Sequence, residues 1–270
     1  MTNDLGIIGA GNMAEAIARA LVSKGVVEPT SITAADVSPQ RRELFERELK
    51  IRCVASAAEA AKGRSTILLA VKPQHMEQVL REIVPAVARG AEVISIAAGI
   101  TTAFIDRFLS SSQCRIVRAM PNTPMLVGEG AVAIAPGPRA TRETIDHARK
   151  LFEPAAAVIE LSEDKLDAVT AVSGSGPAYF FFLVEQMIRA GVENGLSEEE
   201  SWLLATRTAI GAGKMLASTK DSASELRRKV TSPGGTTQAA IEHMQAAGFE
   251  ATIVGAITAA TRRSRELSGG

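Results

Sequence analysis

Apolar positions divide the chain into two regimes. Up to residue 161 they gather in short strand-like stretches, at 5–9, 31–36, 65–71, 92–97 and 115–120, with shorter ones at 131–135 and 157–161, and the run at 65–71 is continuous. Continuous rather than alternating runs predict strands buried on both faces, as in a parallel sheet covered by helices. Between them, helical spacing predicts helices over 14–21 and 142–151. Ser38 followed by Pro39 offers a capping hydroxyl and a first-turn proline for another. From residue 162 the runs stop and helical spacing takes over. The helices expected there are 164–172, 178–193, 197 to about 216, 223–229, 238–246 and 250–266, with an interruption at Ser173-Gly174-Ser175-Gly176-Pro177. The fold class expected is α/β: an N-terminal Rossmann-type doubly wound sheet over 1–161, then an all-helical domain over 162–270. Segment 178–193 is apolar on most faces, so it has to be covered, and a second subunit is the expected cover. Gly269-Gly270 reads as a frayed end.

The first run ends in Gly9-Ala10-Gly11-Asn12-Met13-Ala14 and hands over at once to a helix. Strand, tight turn and helix in that order form a dinucleotide cradle. Gly9 takes the positive backbone angle of the turn, Gly11 lets a pyrophosphate approach the main chain, and Ala14 lets helix and strand pack closely. The first-turn amides and the positive end of the helix dipole then face the phosphates. Asp36, at the end of the second predicted strand, stands where such folds place the acid that bonds the adenine-ribose hydroxyls, which favours NADH. Arg41 and Arg42 follow closely and can instead receive a 2'-phosphate, so both NADPH and NADH stay open. Two further loops, Val71-Lys72-Pro73-Gln74 and Met120-Pro121-Asn122-Thr123-Pro124, follow predicted strands and fall at the ligand edge of the sheet. Lys72 leans over the cofactor or merely precedes a proline that opens a helix. Asn122 reads a nicotinamide carboxamide or shapes the turn.

Composition excludes several classes. Lys plus Arg equals Asp plus Glu at 30 each, so no bulk field invites nucleic acid or an anionic membrane. Aromatic residues make up only 4%, too few for a base-stacking surface. Cys53 and Cys114 show neither a pairing pattern nor metal-ligand spacing, which fits a reducing cytoplasm and no metal. The rapid entry into a strand leaves no room for a signal peptide. The longest uncharged run, 168–184, contains Gly174, Gly176 and Pro177 and reads as a turn and a buried helix rather than a membrane span. His75, His147 and His243 stand apart and read as surface or helix residues.

In the helical half, Ser232-Pro233-Gly234-Gly235-Thr236-Thr237 carries the most chemistry. Two glycines free the backbone so that the amides of Gly234, Gly235 and Thr236 can converge at a helix start and hold a carboxylate. An ordinary helix cap is the plainer alternative.

Taken together, these blocks make the chain resemble the pyrroline-5-carboxylate reductases over nearly its full length. The resemblance rests on Ile7-Ile8-Gly9-Ala10-Gly11-Asn12-Met13, Ala70-Val71-Lys72-Pro73-Gln74, Met120-Pro121-Asn122-Thr123-Pro124, Ser173-Gly174-Ser175-Gly176-Pro177-Ala178-Tyr179 and the Ser232 to Thr237 block. It implies hydride transfer from NADPH or NADH to 1-pyrroline-5-carboxylate, giving L-proline, by a homodimer built from the helical domains and in some members assembled into larger rings. It also implies cofactor binding by Gly9, Gly11, Asn12, Met13, Ala14, Val71, Lys72 and Pro73, with the loop that carries Met120 and Asn122 beside the nicotinamide, while Asp36 is a cofactor-binding candidate by its place after the second predicted strand. The substrate carboxylate falls to Gly234, Gly235 and Thr236, and the ring nitrogen to the Thr237 hydroxyl as the catalytic group. Beside the resemblance, Ser175 either approaches the substrate or belongs to a helix kink over Ser173 to Pro177 that lets a neighbouring element approach. Asp36 departs from the commoner family pattern. A β-hydroxyacid dehydrogenase would share the layout but needs a lysine base in the first long helix of the second domain, where Ala178-Tyr179-Phe180-Phe181-Phe182-Leu183 stands. A dinucleotide-sensing protein would have no use for the second polar nest.

Overall fold

The structure, a computed structural model, describes residues 4–268, and the Gly269-Gly270 end lies outside them. Contacts divide the chain into two units, one formed by residues up to Gly174 together with those from Ala260 on, the other by Ser175–Ala259.

The first unit is built on an eight-stranded sheet: β1 (Leu5–Ile8), β2 (Ile32–Ala35), β3 (Arg52–Val54), β4 (Thr66–Leu69), β5 (Glu92–Ser95), β6 (Arg115–Pro121), β7 (Gly130–Pro136) and β8 (Ala156–Glu160). Their order is β3-β2-β1-β4-β5-β6-β7-β8. Every neighbouring pair is parallel except β6 with β7. The order reverses direction between β1 and β4, so the crevice beyond their carboxyl ends is the switch point where such sheets take ligands. Connecting helices are α1 (Asn12–Ser23), α2 (Pro39–Glu48), α3 (Ala57–Ala61), α4 (Met76–Ile83), α5 (Thr102–Leu109) and α6 (Arg142–Phe152).

The continuous apolar runs have the expected consequence. Ile7, Leu68, Ile94 and Val117 enter one core cluster, while Ile8, Ile67, Leu69, Val93 and Ile116 enter another. Adjacent residues on a strand point to opposite faces, so both faces of the sheet are dry. β3 is a strand that the apolar pattern does not announce: of its three residues only Cys53 is buried. It exists because β2 offers it an edge, with Thr33, Ala34 and Ala35 paired to Arg52, Cys53 and Val54.

Strands end with β8 near the expected change of pattern, yet α7 (Leu166–Val169) stays with the first unit. Leu166 is fully buried and clusters with Ala133 and Ala135 of β7. Just before it, Glu163 accepts from the Thr102 backbone N–H and hydroxyl at 2.8 and 2.7 Å, beside the buried Arg118 at 3.5 Å. The interruption expected at 173–177 is a π-helical turn over Thr170–Gly174, and Pro177 lies in the first turn of α8 (Gly176–Glu193).

The second unit contains α8, α9 (Glu198–Ser218), α10 (Ala223–Lys229), α11 (Thr236–Ala246) and most of α12 (Phe249–Leu267). Ser197 and Glu200 form a reciprocal capping box at the start of α9, as do Ser222 and Glu225 at α10. α8 and α9 approach closely at Gly191, where a Cβ would lie 2.5 Å from the Ser201 hydroxyl. Large apolar side chains nonetheless stand in the open, among them Phe180, Phe181 at 71% and Phe182 on α8, and Trp202, Leu203 and Leu204 on α9. The last turns of α12 belong to the first unit, where the Ser264 hydroxyl donates to Asp167 at 2.6 Å. No helix among the described residues is long and apolar enough to cross a membrane.

Candidate functional site

The glycine turn sits at the switch point. The Gly9 N–H donates to the carbonyl of Ala35 on β2, and the Ala70 N–H donates to the carbonyl of Ile8, both at 2.8 Å. Gly9 has φ +97°, and a Cβ there would come within 2.8 Å of the Ala70 carbonyl carbon and oxygen. Only glycine satisfies both demands. Gly11 differs: its φ of −70° suits any residue, and a Cβ would meet nothing within 4 Å. It precedes α1 without a side-chain cap, so the first-turn amides of Asn12, Met13 and Ala14 have neither a cap nor an intrahelical carbonyl. Open space in front of unpaired donors at a helix start fits a pyrophosphate. Ala14 is buried in the core, as close helix–strand packing requires.

Asp36 lies beside this turn. One carboxylate oxygen accepts from the Ala10 N–H and the other from the Ser38 N–H, each at 2.8 Å. Of the two arginines, Arg41 donates from Nε to the Ala10 carbonyl at 2.5 Å and forms a 2.8 Å ion pair with Glu15 on α1. Arg42 donates to the backbone carbonyls of Asp36 and Val37. Burial alone would raise the Glu15 carboxyl, but hydrogen bonds from Arg19 and Arg41 outweigh it and hold the group below its ordinary range.

Along the sheet edge, Val71 is half-buried and Lys72 and Pro73 are exposed in the loop after β4, where Pro73 opens a single 3-10 turn. Met120 is half-buried near the end of β6. Both ends of the Asn122 amide are engaged: Oδ1 accepts from the Ala131 N–H at 2.8 Å, and Nδ2 donates to the Ser173 hydroxyl at 3.1 Å. Asn122 thus ties the loop after β6 to β7 and to the π-helical turn.

In the second unit, Ser175 precedes α8 without capping it by its side chain. Gly234 has φ +70° and Gly235 directly precedes α11, again without a side-chain cap. Their amides are not idle. Gly234 N–H donates to the Gln238 side chain at 2.8 Å and Gly235 N–H to the Ser232 carbonyl at 3.0 Å. The first-turn amides of α11, from Thr236 onward, have no intrahelical carbonyl to meet. The Gln238 oxygen occupies the kind of position that a carboxylate oxygen would take on Gly234.

The local sequence does not single out Glu15 or Gln238. Each acts across a fold-dependent distance or through a side-chain rotamer, although the four-residue spacing of Gly234 and Gln238 is a signal. His147 is not isolated: its Nδ1 lies 3.1 Å from both oxygens of the buried Glu92. Among the described residues no group of acidic, histidine or cysteine side chains could hold a metal ion.

Comparison with known proteins bears on both units. A family model described as pyrroline-5-carboxylate reductase dimerisation matches residues 163–267, and one described as NADP oxidoreductase, coenzyme F420-dependent, matches 4–99. A pyrroline-5-carboxylate reductase of Pseudomonas aeruginosa is 41% identical, covering 99% of this chain and 97% of its own. The solved pyrroline-5-carboxylate reductase of Coxiella burnetii superposes with a TM-score of 0.92 at 34% identity, covering 99% of both chains. The Plasmodium falciparum pyrroline carboxylate reductase, solved with NADP bound, gives 0.87 at 29% identity, also covering 99% of both chains.

Proposed function

The chain belongs to the pyrroline-5-carboxylate reductase family, and from that premise we propose which of its residues carry the reaction. The enzyme uses NAD(P)H to reduce the C=N bond of 1-pyrroline-5-carboxylate to L-proline, the last step of proline biosynthesis. One observation supports the residue assignment above others: two positive-φ glycines, Gly9 and Gly234, each precede a helix whose first amides lack internal partners. One cradle suits a pyrophosphate and the other a carboxylate.

Reduced nicotinamide supplies the hydride. Gly9 shapes the turn, Gly11 leaves room for phosphate, and the amides of Asn12, Met13 and Ala14 face it. Asp36 meets the adenine ribose, while Val71, Lys72, Pro73, Met120 and Asn122 form the edge along which the cofactor lies, with Asn122 holding the loop in shape. The Gly234 and Thr236 amides hold the substrate carboxylate, and Gly235, its own N–H on the Ser232 carbonyl, shapes the turn between them. Gln238 yields the Gly234 amide when the carboxylate arrives. The Thr237 hydroxyl orients the imine nitrogen, and Ser175 approaches the ring. A cyclic imine protonated at nitrogen already accepts hydride at its ring carbon, so alignment matters more than a strong base. The nitrogen's proton comes from solvent. The exposed Phe180 to Phe182 and Trp202 to Leu204 faces pair two copies into a homodimer, and any ring of dimers would build on that pair. The two unpaired thiols support a cytoplasmic setting.

The test is loss of reduced-nicotinamide absorbance with pyrroline-5-carboxylate. The native enzyme should consume cofactor, and Thr237→Val should lower kcat/KM about tenfold or more, the equivalent of one hydrogen bond of ~1.4 kcal/mol. An unchanged kcat/KM would remove Thr237 from the mechanism.

A further inference from the structure

We propose that this enzyme discriminates in favour of NADH, through a carboxylate fixed at Asp36 and an arginine withheld by Glu15. The inference rests on the reading of Gly9 to Ala14 as the dinucleotide cradle and deepens it.

A 2'-phosphate adds a dianion at the adenine ribose, so the protein must either meet it with cations or repel it. Asp36 cannot easily swing away, because each of its oxygens accepts a backbone N–H at 2.8 Å, from Ala10 on one side and Ser38 on the other. Each oxygen keeps lone-pair capacity for a ribose hydroxyl, and none of it suits a phosphate. The cations that could compensate are committed. Arg41 lies with Nε on the Ala10 carbonyl and a terminal nitrogen 2.8 Å from Glu15, its side chain only 23% exposed. Glu15 is ionised through its bonds to Arg19 and Arg41, so it offsets the charge that a phosphate would need. Arg42 spans the carbonyls of Asp36 and Val37 and so braces the turn that presents the carboxylate. Glu15 is a positioning residue in this scheme, and Asp36 is the group that meets the cofactor.

The experiment titrates the purified full-length enzyme with NADH and with NADPH, following nicotinamide fluorescence without substrate, and then measures KM and kcat for each. NADH should bind at least tenfold more tightly. Asp36→Ser should narrow that gap at least fivefold by weakening NADH and strengthening NADPH. Glu15→Gln, which keeps helix and side-chain shape, should strengthen NADPH at least threefold while NADH binding stays within twofold, with the change in KM rather than kcat. A merely structural Glu15 would move both cofactors together, and that result overturns its role. Equal or tighter NADPH binding by the native enzyme overturns the discrimination itself. Binding of both cofactors that is abolished by Gly11→Leu keeps the cradle reading intact whichever way the preference falls. Failure to bind either cofactor overturns both.

Discussion

Gly9 and Gly11 are two residues apart, and their substitution by alanine should have opposite effects on fold and ligand. At Gly9 an L-residue must hold φ +97°, which costs about 1–2 kcal/mol. Its methyl must also push against the Ala70 carbonyl group 2.8 Å away and the Val71 side chain at 3.0 Å, an overpacking of about 1–3 kcal/mol. The sum, about 2–5 kcal/mol, is a large part of the ~5–15 kcal/mol that holds a domain together. At ~2–4 °C per kcal/mol the Gly9→Ala enzyme should melt roughly 4–20 °C below the native one. Gly11→Ala has an ordinary φ of −70° and open space, so its melting point should stay within about 2 °C. Its methyl instead occupies the phosphate's approach, and cofactor affinity should fall at least tenfold, ~1.4 kcal/mol. Scanning calorimetry without cofactor at one fixed protein concentration gives the first quantity, and fluorescence titration with NADH gives the second. A Gly11→Ala enzyme that melts as the native one does and binds cofactor within twofold would refute the cradle. A Gly9→Ala enzyme of native stability would refute the steric argument at the turn.

Other predictions concern the thiols and the helical unit. Burial pushes Cys53 and Cys114 from 9.0 up to about 11, so both should resist iodoacetamide at pH 7.5 in the folded enzyme and react once urea unfolds it. Because the folded state holds these protons more tightly, their contribution to stability is complete below the unfolded thiol pKa. It declines as pH rises through about 9 towards 11, a trend that urea midpoints at pH 8 and 10.5 would check and that Cys114→Ala should weaken. Phe181→Arg places a charge on the exposed apolar face of α8 and should yield a monomer by light scattering at micromolar concentration. A dimer that persists would place the subunit contact elsewhere.

How legible these features were depended on how local their causes are. β1, β4 and β5 stood out because strands buried on both faces have no polar alternation to dilute the run. The Gly9 turn was legible because its cause, a backbone angle, lies within the motif. β3 was not, since three residues with one buried side chain carry no period, and the strand forms only because β2 presents an edge. The Glu15–Arg41 pair spans 26 residues and the Glu163–Thr102 bracket spans 61, so nothing in the local sequence signals either. At the Ser232 to Thr237 block the glycines announced a cradle, but not that Ser232 and Gln238 already engage two of its amides.

The closing turns of α12 impose an order of events on synthesis. The first unit is discontinuous in sequence: Ser264 is buried and bonds Asp167, and a Cβ at Gly99 would lie 3.2 Å from the Leu267 carbonyl oxygen. A nascent chain that has reached Gly174 therefore has every strand of its sheet yet lacks the piece that covers this corner. At ~5–20 residues per second the ribosome needs roughly 5–20 s more to deliver it. During that interval the fully synthesised sheet must persist without its last cover, and a stop codon a few residues early would damage the sheet domain rather than the helical one.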